Sequence, residues 1–420
     1  MNRISQRELL LSNASLQEKI FGSELVLLKS ANELFELELA FLESQLLSKN
    51  EMIARAAFFK TIDGTPSNHF LMCQYFNSHF GGGRSSATRA YFEEGRYSTG
   101  YATHSLFPYR GKFHPQLIKA LLNIMGVRKG EIVFDPMCGS GTLNVEASLM
   151  GIDSYALDIS PFCCLMTRVK SQSLSINPDY LALLDDETVD KWFSFFTAGK
   201  VLRKIEDLKE SQKRNIYELS LLAFLDAMGY ARRVNTSDHR TLFAKVLRRY
   251  RSTVKQTAEN PIIVKTSLGN VKMLDGNAIS IPLGDSTVDC VITSPPYSFA
   301  IDYAENDSPQ LAFLGLDVNS LRQKMLGLSG RGKKERILRY FEDMKQVVGE
   351  IVRVTKPGKY ITFIIGSNTN QTNGIRLEDN IIDFFEENGA PLVRKMLKTI
   401  KGMRNTMKDE YVLIFRRSYE

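Results

Sequence analysis

The chain has 420 residues, a formal net charge of +7, and 43% apolar and 24% charged residues. This is the balance of a soluble globular protein, with length for one large domain plus additions or for two or three domains. No apolar stretch is long enough to span a bilayer, and the polar opening Met1–Glu8 has no signal-like core, so a cytosolic chain is expected. The five cysteines (Cys73, Cys138, Cys163, Cys164, Cys290) make no Cys-x-x-Cys pair, so neither a disulfide framework nor a metal site is expected.

Residues 14–60 read as helix, because Leu28, Ala31, Phe35, Leu39, Leu42 and Leu46 recur at three- and four-residue steps. That stripe packs on the body of the protein or forms the seam of a homodimer. Residues 61–110 read as irregular and hold Gly81-Gly82-Gly83, a connector or a mobile loop. From residue 111 the pattern alternates. A helix over 115–125 precedes a strand at 131–135, a tight turn at Gly139–Thr142, a helix over 143–150 and a strand at 154–158. This is the opening of a doubly wound sheet.

A helical stretch at 177–257 then interrupts the alternation, with Trp192, Phe193, Phe195 and Phe196 packing its base. Strands follow at 271–274, 287–293 and 359–365, helices at 335–355 and 376–388, and two closing antiparallel strands at 391–400 and 410–416. The expected fold is α/β: a seven-stranded, mostly parallel sheet at 105–170 and 263–420, a helical N-terminal region at 1–104 and a helical insertion at 171–262. Basic residues cluster at 200–255, 322–339 and 394–408. Each cluster alone reads as a solvated helix face; together they suit the phosphates of a nucleic acid.

Two turns carry chemistry. Phe134-Asp135-Pro136-Met137-Cys138-Gly139-Ser140-Gly141-Thr142 links a strand to a helix. Its glycines permit close backbone approach to a ligand, and the helix N-terminus offers free N–H groups. No Gly-Lys-Ser/Thr follows, so this is not a triphosphate loop. Asp158 at the next strand end suits two ribose hydroxyls, and Asp275 at the third suits an adenine amine. Together they fit a nucleoside without phosphates, such as S-adenosylmethionine.

Thr293-Ser294-Pro295-Pro296-Tyr297 ends the fourth strand. An exocyclic amine of a nucleobase is a poor nucleophile, because its lone pair is delocalised into the ring. Accepting its two N–H bonds, from Ser294 Oγ and a prolyl carbonyl, turns the nitrogen toward sp³, while Tyr297 stacks on the base. Catalysis of this kind is alignment and electrostatics. Methylation at a pyrimidine carbon needs a thiolate, usually in a Pro-Cys dipeptide, and no cysteine here follows a proline.

With these two motifs, the chain resembles the amino-group DNA methyltransferases that use S-adenosylmethionine. Phe113-His114-Pro115, Ala300-Ile301-Asp302-Tyr303, Leu311–Gly315 and Glu410–Phe415 resemble further segments of that family. The resemblance covers roughly residues 105–170 and 260–417. It implies methyl transfer to DNA, with Ser294 similar to the cytosine-N4 branch; adenine N6 and RNA amines remain as alternatives. It implies catalytic roles for Ser294, Pro295, Pro296 and Tyr297. Cofactor contacts are implied for Phe113, His114, Asp135, Pro136, Cys138, Gly139, Gly141, Thr142, Asp158, Ile159, Asp275 and Gly276. The expected partners are double-stranded DNA with an extruded base, a second copy of the chain through the N-terminal helix, and a cognate restriction endonuclease.

Overall fold

The structure is a computed structural model and describes residues 20–22, 24–28, 34–79, 100–109, 111–200, 210–235, 237–296, 302–328, 330–367, 376–399 and 409–419. In chain order, β1 (Leu25–Leu27), α1 (Leu34–Leu46), α2 (Lys49–Arg55), β2 (Phe59–Ile62), β3 (Thr65–Pro66) and α3 (Asn68–His79) come first. Then come α4 (Pro115–Ile124), β4 (Ile132–Asp135), α5 (Thr142–Leu149), β5 (Asp153–Leu157) and α6 (Pro161–Gln172). The interrupting block holds α7 (Val189–Thr197), α8 (Ser211–Val234) and α9 (His239–Glu259), followed by β6 (Val271–Leu274) and β7 (Val288–Thr293). Three short helices, α10 (Tyr303–Asn306), α11 (Ser308–Phe313) and α12 (Val318–Lys324), precede α13 (Gly332–Val354), β8 (Thr355–Ser367), α14 (Leu377–Glu387), β9 (Leu392–Thr399) and β10 (Asp409–Arg416).

The main sheet has seven strands in the order β6-β5-β4-β7-β8-β10-β9. β4, β5, β6, β7 and β8 run parallel, and β10 is antiparallel to both its neighbours. The expected α/β sheet is therefore present. The chain winds outward from β4 to β5 and β6, then returns to the other side of β4 with β7. The order reverses between β4 and β7, and at such a switch point the carboxyl ends of two strands diverge to leave a crevice. The register sets Phe134 beside Val291, so Asp135 and Thr293 finish their strands side by side. Every residue of β7 is buried, as expected of a parallel strand covered on both faces.

The N-terminal region departs from the single long helix expected over 14–60. Ser48 and Glu51 form a capping box that starts a new helix after α1, and β1, β2 and β3 form a small antiparallel sheet. Phe35 and Leu39 are buried in one core with Leu117 and Leu121 of α4, and with Val133 and Ile292 of the main sheet. Much of the apolar stripe thus faces the protein's own interior rather than a second copy, while Leu46 is 53% exposed. Glu43 fastens this layer, accepting bonds from Asn123 Nδ2 (2.6 Å) and the Ala57 amide (3.0 Å). Residues 81–83 lie outside the described residues.

The block between β5 and β6 also shares a core with the sheet domain. Phe196, Phe224 and Phe243 pack with Phe162 and Leu165 of α6 and with Leu311 of α11. Trp192 stacks on Phe196, with ring centroids 5.8 Å apart. The block is therefore bound to the segment that follows the Ser-Pro-Pro turn. Among the described residues no helix is long and apolar enough to cross a membrane.

Candidate active site

β4 delivers Asp135 to the switch point, where its side chain is fully buried. Thr293 Oγ1, at the end of β7, donates to Asp135 Oδ1 at 2.7 Å, and the Met137 amide donates to the same oxygen at 3.1 Å. One carboxylate oxygen thus ties together the two turns singled out in the sequence. Burial pushes the Asp135 carboxyl up to about 7, against the lowering effect of those hydrogen bonds. Its Oδ2 is buried with no partner among the described residues.

A cleft opens above this tie. It is lined by Phe113, Pro136, Cys138, Gly139, Ser140, Thr142, Asp158 and Ile159 from the cofactor-like side, and by Ser294, Pro295 and Pro296 from the other turn. Asp158 is held from two directions: the Gly139 amide donates to Oδ2 (2.9 Å) and the Ser160 amide to Oδ1 (2.8 Å). Burial raises its carboxyl to about 6, with both amide bonds pulling the other way. Gly139 has φ +50°, and a Cβ placed there would meet nothing within 4 Å, so its backbone faces open space. Ser140 Oγ is buried with no partner among the described residues and belongs to the same wall.

These features are what a bound nucleoside needs: a glycine cradle, a pre-oriented carboxylate for vicinal hydroxyls, and a buried hydroxyl with no partner among the described residues. The residues present therefore fit S-adenosylmethionine.

Several residues from the sequence reading are placed elsewhere. Gly141 does not line the cleft: its φ is +74°, and a Cβ would come within 2.8 Å of the Thr167 side chain, so it permits close packing of α5 on α6. His114 is the N-cap residue of α4 and does not line the cleft; burial holds it neutral, lowering it to about 3. Asp275 and Gly276 are exposed and outside the lining, because β6 ends at Leu274 and the chain turns at Gly276 against Pro282. Asn277 and Ala278 form that wall instead. Tyr297 lies outside the described residues.

The cleft also contains groups from outside the two motif turns. Tyr109 and Lys112 precede α4, and Tyr303, Asp307 and Lys324 follow the Ser-Pro-Pro turn. Tyr109 Oη donates to Asp307 Oδ2 at 3.0 Å, bridging segments far apart in sequence. Tyr303 stands in a stretch whose family resemblance was already visible; Tyr109, Lys112 and Asp307 belong to no motif and are found only through the fold.

Part of each basic cluster is paired with carboxylates within the protein. In the helical block, Arg240 pairs with Asp190 (2.6 Å), Arg248 with Asp186 (2.8 Å) and Arg249 with Asp226 (2.5 Å). Arg322 pairs with Asp302 (2.5 Å), Arg339 with Glu335 (2.6 Å) and Lys398 with Glu410 (2.8 Å). Arg232 and Arg233, exposed at the end of α8, make no ion pair among the described residues.

Comparison with known proteins agrees with this architecture. A family model described as UPF0020, RMKL-like, methyltransferase domain, matches residues 105–220. The chain is 42% identical over 110 residues to Type II methyltransferase M.MjaII of Methanocaldococcus jannaschii, which is 26% of this chain and 20% of that protein. It is 26% identical over 293 residues to Type II methyltransferase M.BsoBI of Geobacillus stearothermophilus, 55% of this chain and 57% of the relative. A tRNA (guanine(10)-N2)-dimethyltransferase of Methanothermobacter thermautotrophicus is 40% identical over 53 residues, 13% of this chain and 16% of that one. The match thus spans between about a sixth and just over half of each of these relatives' lengths. Over the matched segments the chain is similar to methyltransferases.

Proposed function

We propose that this chain transfers a methyl group from S-adenosylmethionine to the exocyclic N4 amine of cytosine at a specific DNA sequence. The observation that carries this reading is the Thr293–Asp135 hydrogen bond, which holds the glycine turn and the Ser-Pro-Pro turn at the mouth of one cleft. The DNA assignment is supported by the relatives named as Type II methyltransferases.

Asp158 would hold the ribose hydroxyls and the Gly139–Ser140 backbone would face the nucleoside, with Phe113 and Ile159 closing the apolar sides. When bound, S-adenosylmethionine supplies an electrophilic methyl on a sulfonium. The chain's own residues do the rest by alignment. Ser294 Oγ and a prolyl carbonyl accept the two amine protons, and Tyr297 stacks on the base. The leaving thioether is neutral, so no strong base is needed, and the rate comes from geometry and fixed dipoles. In a duplex the amine is shielded by stacking and pairing, so the base is extruded into the cleft.

The second reading is adenine N6, whose amine has the same two N–H bonds and the same adjacent ring nitrogen. One experiment separates the readings. Unmethylated plasmid DNA and tRNA are incubated with the protein and labelled cofactor, then digested to nucleosides for mass spectrometry. N4-methylcytosine in the DNA is the expected product. N6-methyladenine transfers the reading to the second base, and label confined to tRNA ends the DNA assignment.

A further inference from the structure

The cleft carries one carboxyl that the mechanism above leaves unused. Asp307 is only 8% exposed, at the junction of α10 and α11, and its side chain lines the same cleft as Ser294 and Pro296. Tyr109 fixes Oδ2 in place at 3.0 Å. Oδ1 makes no hydrogen bond among the described residues, and no cation among them lies within ion-pair reach. A buried carboxyl without a counter-charge is unstable as an anion and is retained as an acid, which has a proton to donate.

The amino groups of cytosine and adenine share an edge. In both, the reacting amine sits beside a ring nitrogen that bears a lone pair and accepts a hydrogen bond. On its Watson–Crick edge guanine N2 sits beside a ring N–H, a donor, and its other ring neighbour, the acceptor N3, faces the sugar side. A carboxylic acid facing this edge therefore complements cytosine or adenine, and a carboxylate complements guanine. We propose that Asp307 is the residue that identifies the acceptor base, donating its proton in a hydrogen bond to the ring nitrogen beside the reacting amine. This rests on the reading that the cleft takes a nucleobase amine.

The groups facing Asp307 favour the acid. Asp158, from the end of β5, repels a charge on it. Tyr109 donates to it, which opposes the shift, and the net effect of burial, Tyr109 and Asp158 is a carboxyl pushed up to about 7. Cys163 of α6 and Tyr303 of α10 are themselves pushed upward by burial and stay uncharged beside it. Lys324 lines the same cleft, with no ion pair to Asp307.

The bond selects rather than accelerates. Donation to the ring nitrogen draws the amine's lone pair toward the ring, which does not help attack on the methyl. The effect therefore falls on KM for the nucleic acid and leaves kcat nearly unchanged, the signature of binding that is equal in ground and transition states.

The test uses the full chain with saturating S-adenosylmethionine and a duplex oligonucleotide carrying the site mapped by methylation sequencing. A second duplex replaces the target's ring nitrogen by C–H, as 3-deazacytosine or 1-deazaadenine. Three proteins are compared: wild type, Asp307→Asn and Asp307→Ala. Asparagine keeps a donor and can still accept from Tyr109, but it does not titrate. Calorimetric cofactor affinity within about twofold of wild type serves as the folding control.

The wild-type KM is expected to rise about tenfold from about pH 6 to about pH 9 at constant kcat, and Asp307→Asn to show no such rise. The deaza duplex is expected to raise the wild-type KM about tenfold and the Asp307→Ala KM not at all. Equal deaza costs in wild type and Asp307→Ala, or a rise in KM with pH that Asp307→Asn retains, overturn the proposal while leaving the methyl transfer intact. A guanine N2 product overturns it as well. A wild type that methylates no DNA overturns the proposed function itself, and this assignment with it.

Discussion

The switch point and the helical block carry polar residues to opposite ends. At the switch point, Asp135 Oδ2 and Ser140 Oγ are buried with no partner among the described residues, and the half-buried Asp158 is held by backbone amides that leave one side open. In the helical block, arginines that look equally available in sequence are matched with carboxylates: Arg240 with Asp190, Arg248 with Asp186, Arg249 with Asp226. Unmet hydrogen-bonding capacity in a cleft marks a place prepared for a ligand. A matched ion pair marks a place where the protein has completed itself. Charge count alone cannot separate the two.

The largest effect expected from this contrast concerns the Ser-Pro-Pro turn. Ser294→Ala should lower turnover by about 10²-fold or more while cofactor affinity stays near wild type, because Ser294 acts on the acceptor amine. Asp158→Ala should weaken cofactor binding first. Single-turnover kinetics paired with calorimetry read both, and an equal loss of cofactor affinity in the two variants would show that the turns do not divide the work as described.

Next comes Gly141. The Gly-x-Gly pattern and the family resemblance point to a ligand contact there, yet its backbone conformation and the nearness of Thr167 make it a packing residue. Gly141→Ala should destabilise the fold by about 3 kcal/mol, combining a left-handed backbone penalty with a clash in a buried layer. Chemical denaturation measures it. A fully stable variant with weakened cofactor binding would return Gly141 to the cleft.

This divides what was legible in the sequence from what was not. The strands β4 and β7 announced themselves as apolar runs ending in Asp or in the Thr-Ser-Pro-Pro turn, since inner parallel strands are buried on both faces, while β5 and β6 showed mainly through the Asp that follows each. Pairing across the sheet was legible too, because strand alternation implies the switch point. The N-terminal hairpin was hidden by a leucine stripe that fits a helix, with the Ser48–Glu51 capping box as the overlooked signal. The helices at 303–324 are too short for periodicity to register. The ion pairs of the block join residues such as Asp190 and Arg240, which only tertiary approach brings together. For the same reason nothing marked Tyr109 and Asp307 as neighbours.

The arginines offer a third, smaller contrast. Arg249 pairs with the buried Asp226, so Arg249→Ala strands a carboxylate and should destabilise by about 2 kcal/mol without changing the salt dependence of DNA binding. The double change Arg232→Ala with Arg233→Ala should do the reverse. Thermal stability should hold, while the slope of log K against log salt for a duplex should shrink by about 1 to 2. Fluorescence anisotropy at several salt concentrations reads the slope. Equal slopes in the double variant and wild type would remove the end of α8 from the nucleic-acid surface.

The smallest effect is a pH dependence, and its sign follows from Asp158. Its carboxyl is held at about 6, above the ordinary aspartate range, by burial foremost. The ionised form is the better acceptor for two ribose hydroxyls, so cofactor affinity should fall as pH drops through that value. If only the carboxylate binds, a pKa of about 6 leaves roughly one molecule in eleven competent at about pH 5 and ten in eleven at about pH 7, a tenfold loss of affinity. Asp135 also titrates near this range, but its Oδ1 faces Thr293 and Met137 rather than the cleft. The amide of Asp158→Asn accepts through one oxygen and carries no proton to lose. That variant should bind more weakly at about pH 7 and show no decline toward about pH 5. A decline that survives in Asp158→Asn would move the titration to Asp135, and with it the origin of the coupling from the ribose site to the tie between the two turns.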